Sequence, residues 1–333
     1  MKISIIIPTH NRPELLHAAL MGVAAQNYQD LEIIVVDDHS SPDQQVLNAR
    51  ITASIGVRCK YINLITDRPQ AGGPSSTRNV GIQAASGDLI GFCDDDDYWH
   101  DVQHLAVVAD AFTKDSKLDL LYANQETFFQ GKPVKPFWQP HLIERLGIVS
   151  TESGRVIHLS KIDSLSVSGS FGHLNTCIFR RELLRSLGGF WCSQKYSEDL
   201  DLFVRAIDAA RHIAYLDLTV SVHNRPDRTR RDNVSSRLDE QAKSITLLNI
   251  VNHLMDTCST PAALRFARLL GANECRDLAL SLSRQREHAK AWIWARQGLA
   301  WHFTLKWMGY VMAKGLMQIL RTFRPSSVVE SGK

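Results

Sequence analysis

The chain has 333 residues, 44% hydrophobic and 22% charged, the proportions of a protein with a real core, so disorder along its whole length is excluded. At roughly 100–200 residues per domain, this length implies about two domains. Lys and Arg number 38 against 35 Asp and Glu, a net charge of +3, which argues against a nucleic-acid partner because such proteins carry a strong basic excess.

Residues 3–7 form a β-branched run closed by Pro8 and read as a buried strand. Asn11 can cap the helix that follows, with Pro13 in its first turn. Residues 31–36 read as a second buried strand ending in Asp37 and Asp38, and residues 57–63 as a third. A helix is expected over 75–85, a short strand over 89–93 ending in Asp94, and a helix over 99–112. Strands alternating with helices indicate a mostly parallel sheet covered on both faces. The polar clusters at 9–12, 37–38 and 94–97 fall at carboxyl ends of strands, where open α/β sheets bind ligands. From 116 to 230 the pattern predicts shorter strands broken by Gly, Ser and Pro, with helices near 180–187 and 198–210. From 236 to 324 it is helical, with a break at Thr260-Pro261, and a boundary is expected near 230–236.

The six cysteines, at 59, 93, 177, 192, 258 and 275, form no CxxC knuckle, and free thiols in a reducing cytosol are the expectation. The first apolar run is too short for a secretory leader. No stretch reaches the ~18 apolar residues of a spanning helix.

Four consecutive aspartates, Asp94, Asp95, Asp96 and Asp97, close a strand. Clustered like charges are costly without a compensating cation. Hard oxygen ligands suit Mg²⁺ or Mn²⁺, which take one or two carboxylates plus substrate phosphates. A solvated acidic turn is the plainer reading. An EF-hand is excluded because Trp99 and Leu105 stand where Gly and Glu would be needed. Asp37 and Asp38 can accept hydrogen bonds from a base or ribose. GxGxxG and P-loop motifs are absent. Gly72 to Asn79 leads into a helix, where backbone N–H groups and Arg78 could meet an anion or simply form a capped turn.

Three segments, ISIIIPTHNRPELLHAAL, QNYQDLEIIVVDDHSSPD and GGPSSTRNVGIQAASGDLIGFCDDDDYW, resemble in order and spacing the motifs of family 2 glycosyltransferases of the GT-A type. The resemblance runs over residues 1–230 and is strongest over 3–100. It implies an α/β GT-A nucleotide-diphospho-sugar transferase fold over 1–232, with a nucleotide-sugar half (1–115) and an acceptor half (116–232); the helical pattern beyond it predicts an all-helical extension over 233–333. It also implies an inverting, metal-dependent glycosyltransferase using Mg²⁺ or Mn²⁺ and a nucleotide-diphosphate sugar. The acceptor would be a saccharide or lipid-linked hydroxyl in surface polysaccharide synthesis.

Residue by residue, Asp38 resembles the carboxylate that binds the nucleotide base, with Pro8, Thr9 and Arg12 in the same pocket. Arg78 resembles the basic residue of the family's ARN motif, here STRN. Asp94 and Asp96 align with a DxD element, Asp95 lies near the ribose, and Asp96 is the metal candidate, with Asp97 an alternative register. The segment from Leu187 to Leu202 resembles the family's GGF and EDxDL elements, which makes Asp199 the general base and Glu198 its substrate-binding neighbour. His223 would complete the metal shell or contact phosphate, and Arg225 opens an Arg-rich loop suited to the diphosphate.

Between Glu287 and Glu330 there is no acidic residue, and four of the seven tryptophans lie there. At about 100° per residue, His302, Lys306, Lys314, Arg321 and Arg324 share one side of a helix. Leu305, Met308, Val311, Met312, Leu316, Ile319 and Phe323 share the other. Such a helix suits an anionic membrane surface, placing the protein in the cytoplasm, peripheral on the inner face of the cell membrane. Packing on the catalytic domain or in a homodimer is the alternative. Two rival functions are a HAD-type phosphatase, disfavoured because Tyr98 stands where Thr or Val is required, and a degenerate transferase-like protein that binds nucleotide sugar or scaffolds a membrane complex.

Overall fold

The computed structural model describes residues 1–66, 70–135, 142–147, 156–166, 171–194, 196–225 and 234–322. In chain order the first elements are β1 (Ile3–Thr9), α1 (Pro13–Ala24), β2 (Leu31–Asp37), α2 (Pro42–Ser54), β3 (Cys59–Asn63), α3 (Pro74–Ala84) and β4 (Leu89–Phe92). Then come β5 (Tyr98–Trp99), α4 (His104–Lys114), β6 (Leu118–Phe129), β7 (Lys132–Pro133), α5 (Leu142–Arg145), β8 (Val156–Leu159), α6 (Lys161–Ser166), β9 (Cys177–Arg180), α7 (Arg181–Ser186), α8 (Glu198–Ala209) and β10 (His212–Asn224). The remainder is helical: α9 (Val234–Arg237), α10 (Glu240–Thr257), α11 (Pro261–Arg284), α12 (His288–Trp301) and α13 (Leu305–Thr322).

One sheet runs β3-β2-β1-β4-β9-β6-β10-β5, with β7 on β6 and β8 on β10. The β3-β2-β1-β4 portion is parallel. β9 runs antiparallel to both β4 and β6, so the second half of the sheet is mixed, with β6 and β10 parallel to each other. Ile3, Ile5, Ile6 and Ile7 are fully buried, as expected of a strand covered on both faces. Gly81 lets α3 lie close on β1: a Cβ there would stand 2.4 Å from Ile6 Cγ2.

Several local expectations change. Asn11 does not cap α1: it adopts a left-handed φ of 57°, and its side chain accepts the N–H of Ser41 instead. The helix expected from residue 99 starts at His104, because Tyr98 and Trp99 form β5 against Val222 and Ser221 of β10. The sequence reading missed α2, whose buried residues are the polar Asn48 and Thr52, so no apolar periodicity marks it. The longest strands, β6 and β10, lie where shorter ones were expected. Register shifts interrupt their pairing, and their buried polar groups find partners, as Asp119 does in Arg211 and Ser221 in Gln125.

The chain divides into two compact units, residues 1–237 with 257–263, and 238–256 with 264–333. Asp208 holds the returning segment in the first unit by accepting the N–H groups of Ser259 and Thr260. Within the second unit, Trp307 is buried and donates its indole N–H to Ala295 O at 2.8 Å. Trp292 and Trp294 pack against the same cluster, and Trp294 and Trp301 against a second one. The four tail tryptophans therefore build the unit's interior. Lys314 also turns inward, to the Ser283 hydroxyl and the face of Tyr310.

Candidate active site

Parallel register sets the stage. Thr9 lies abreast of Asp37, and Asp37 abreast of Asn63, so β1, β2 and β3 end together. β4 ends earlier, with Phe92 beside Ile6. The chain then leaves the sheet and brings Asp95 and Asp96 to Thr9 and Arg12.

Each aspartate has its own partners. Asp94 takes Arg78 Nη2 at 2.6 Å. Asp95 accepts the Thr9 hydroxyl at 2.8 Å and Arg12 Nη1 at 3.3 Å, and the same Arg12 nitrogen reaches Asp96 at 3.1 Å. Asp97 is locked on both oxygens by the Asn175 amide, the Asn224 N–H at 2.6 Å and His223 Nδ1 at 3.0 Å. Asp96 has the most exposed side chain of the four, at 28% against 1% for Asp97.

The electrostatics follow. Burial, then the neighbouring carboxylates, hold Asp96 well above the ordinary carboxylate range. Burial likewise lifts Asp95 to about 6, despite Arg12 and Thr9. Burial also works against the Asp94 anion, but Arg78 outweighs it and the group falls below its usual value. At His223 burial disfavours the cation, yet Asp97 carries its pKa to about 9. The His173 ring lies tilted against that of His223, 4.9 Å between centroids, and is pushed down to about 3 by burial and that neighbouring charge. Donor atoms of Asp97, His173 and His223 lie within 4.8 Å of one another.

Arg78 is the hinge between the two halves of the site. Its Nη1 meets Glu198 Oε1 at 2.7 Å while Nη2 holds Asp94, and its guanidinium lies 5.4 Å from the Phe190 ring centroid. Glu198 and Asp199 open α8, after Ser197 in a left-handed conformation. Asp199 accepts the N–H of Leu200 at 2.9 Å. Burial, then Glu198, raises its carboxyl to about 7.

Asp38 faces the same end of the sheet, where its two oxygens accept the N–H groups of Gly72 and Gly73 at 3.1 and 2.8 Å. Asp37 is buried and structural, bonded to the Ser40 N–H, the Asn48 amide and the Tyr61 hydroxyl. Pro8 lies beside Val36 in the β1–β2 register. Arg225 is exposed, its N–H on Phe128 O at 2.7 Å. The Arg-rich stretch that follows it lies outside the described residues.

Sequence reasoning missed Asn175, which is fully buried. Its Oδ1 accepts the Asp94 N–H, its amide donates to Asp97, and its carbonyl accepts the Trp99 indole. Asn224 was missed too; its amide donates to Asp96 O. Asn224 was within reach, being next to His223. Nothing around Asn175 in the sequence signals a role.

This mixed sheet, parallel in its first half and acidic at its strand ends, has the architecture of the GT-A fold. A family model for glycosyl transferase family 2 matches residues 4–188, and the chain belongs to that family. It is 38% identical over 96 residues to the GalNAc(5)-diNAcBac-PP-undecaprenol beta-1,3-glucosyltransferase of Campylobacter jejuni. That match covers 29% of this chain and only 30% of the relative's length. Among solved structures, S. aureus TarS in complex with UDP-GlcNAc superposes with a TM-score of 0.65 at 18% identity, over 97% of this chain and 88% of that one. The mannosyltransferase PcManGT of Pyrobaculum calidifontis, in complex with GDP-Man and Mn²⁺, gives 0.58 at 16% identity over 96% and 86%. At these identities the two structures speak to the fold.

Proposed function

We propose that this protein transfers a sugar, with inversion, from a nucleoside diphosphate to a hydroxyl of a saccharide or lipid-linked acceptor. The observation that carries the reading is Arg78, which ties Asp94 to Glu198 and so brings Asp199 to the strand-end aspartates. In this scheme Asp199 takes the acceptor hydroxyl proton as the oxygen attacks the anomeric carbon and the bond to the diphosphate breaks on the opposite side. A carboxyl at about 7 is matched to that task near neutral pH.

Asp38, with Pro8, Thr9 and Arg12, would receive the nucleotide. A base N–H reaching Asp38 would replace one of its bonds to Gly72 or Gly73. Arg225 would meet the diphosphate.

The four carboxylates suit a divalent cation. Burial and then their mutual repulsion raise Asp96, the Arg12 contact offsets only part of that effect, and Asp96 offers the most exposed side chain. Asp96 would be the principal ligand, because both oxygens of Asp97 are already engaged. His223 would join only after losing the proton that Asp97 stabilises, since a ligating imidazole must be neutral. Bound there, Mg²⁺ or Mn²⁺ supplies Lewis-acid stabilisation of the charge on the departing diphosphate.

The second unit bears on location. Leu305, Met312 and Leu316 are exposed on one face of α13, beside exposed Lys306, a combination that supports docking on an anionic lipid surface. No helix among the described residues is long and apolar enough to cross a membrane. The deciding experiment is turnover of UDP-, GDP- and dTDP-sugars with and without Mn²⁺. Metal-stimulated release of nucleoside diphosphate from at least one of them is expected. Binding without turnover of any donor or acceptor would instead identify a degenerate transferase-like protein.

A further inference from the structure

At the opposite end of β10 from the aspartates, three ligand-type side chains converge from three elements. Asp115 caps the C-terminus of α4, His158 lies in β8, and His212 opens β10. One donor atom from each lies within 4.8 Å of the others. β8 pairs antiparallel with β10, placing His158 opposite Ala214. His212, two residues earlier, shares that face on the diagonal, and the two rings stand 6.2 Å apart.

The carboxylate is already aimed. Asp115 Oδ1 accepts the Lys117 N–H at 2.8 Å, which leaves Oδ2 for His212 Nδ1 at 2.7 Å and His158 Nδ1 at 3.8 Å. Arg211, next to His212 in the chain, grips both oxygens of Asp119 at 2.8 and 2.7 Å, which fixes the backbone at the start of β10.

We propose that Asp115, His158 and His212 bind a zinc-type divalent cation, with water in the remaining position. Two imidazoles and one carboxylate are a donor set for Zn²⁺, Co²⁺ or Ni²⁺ and a poor one for Mg²⁺ or Ca²⁺. Tetrahedral zinc, with bonds of about 2.0–2.1 Å, spaces its ligand atoms about 3.3 Å apart. The observed 2.7 and 3.8 Å bracket that spacing, and the two imidazole donor atoms lie within 4.8 Å of each other. His158 and His212 are 59% and 44% exposed, which opens the fourth position to solvent. The ion fastens β8, which pairs only with β10 among the described residues, to the end of α4.

Ten residues of β10 lie between His212 and His223, a span of roughly 35 Å, so this site and the proposed catalytic metal stand or fall separately. The test uses the full chain stripped with a chelator and titrated with Co²⁺ and then Zn²⁺. A visible absorption band of four-coordinate Co²⁺, displaced by Zn²⁺, is expected, along with a rise in Tm on adding Zn²⁺. His158→Ala and, independently, His212→Gln should abolish the band and the Tm rise and weaken Zn²⁺ binding roughly tenfold or more. His223→Ala should keep all three. No Zn²⁺ binding at micromolar concentration, an unchanged band in both His158→Ala and His212→Gln, or its loss in His223→Ala would overturn the proposal.

Discussion

Asp199→Asn separates a catalytic carboxylate from a structural one. The group lies at the start of α8, and burial beside Glu198 lifts its pKa from 3.8 to about 7. With a pKa there, about 90% of the carboxyl is ionised at pH 8 and about 10% at pH 6. Turnover at saturating donor should therefore fall roughly tenfold between those values. An ordinary carboxylate would give no change in that window. Asn keeps the shape and removes the base, so kcat should drop by about 10²–10⁴, with donor affinity unchanged and the acid limb gone.

The stability sign is opposite. A carboxyl raised in the folded state favours folding below its unfolded pKa and loses that contribution as pH climbs through about 7. Above pH 7 Asp199→Asn should stabilise the chain, on the order of 1–2 kcal/mol once solvent screening is allowed for. A pH series of kcat beside urea denaturation at pH 8 reads both effects. Full activity in the variant, or an acid limb that persists, would refute the base role. Joint loss of activity and stability would make Asp199 structural.

Asp96→Ala removes the carboxylate best placed for a metal, so Mn²⁺-dependent nucleotide-sugar binding by calorimetry should weaken by about 2 kcal/mol, roughly thirtyfold. Its metal-free Tm should rise, because the like-charge cluster is relieved; a fall would mean that the Arg12 contact matters more than the repulsion. Arg78→Met leaves Asp94 and Glu198 without their shared cation, and equilibrium unfolding should show a loss of about 3–5 kcal/mol. Arg78→Lys keeps the charge and should lose less. Asn175→Ala strands the polar groups of Asp94 and Asp97, and about 1–3 kcal/mol of destabilisation is expected. Because Asp97 is then released, the His223 pKa, read by NMR titration, should change as well.

The first hundred residues were readable because a parallel strand buried on both faces writes itself as an unbroken apolar run, as in Ile3, Ile5, Ile6 and Ile7. The polar residues that end such runs then mark the ligand-binding edge. The Thr9, Arg12, Asp38 and aspartate cluster was legible for that reason. What failed was local chemistry with a tertiary competitor. Asn11 gave its side chain to Ser41, Trp99 joined a strand contributed more than a hundred residues later, and α2 buried polar groups that no hydrophobic period reveals. The tail shows the same limit: its tryptophans read as a membrane face, but they fill the core of the helical unit, while Leu305, Met312 and Leu316 face out.

The chain's own residues thus determined the family, the strand ends and the types of chemical group present. Only the tertiary structure decided what each group faces: that Arg78 joins Asp94 to Glu198, that Asn175 and Asn224 lock Asp97, and that His158 and His212 meet Asp115. The reason is physical. Hydrophobic period and turn chemistry act over a few residues and can be read in order. Hydrogen bonds and charge pairing act over about 3 Å of space, between residues whose separation along the chain carries no information about their distance.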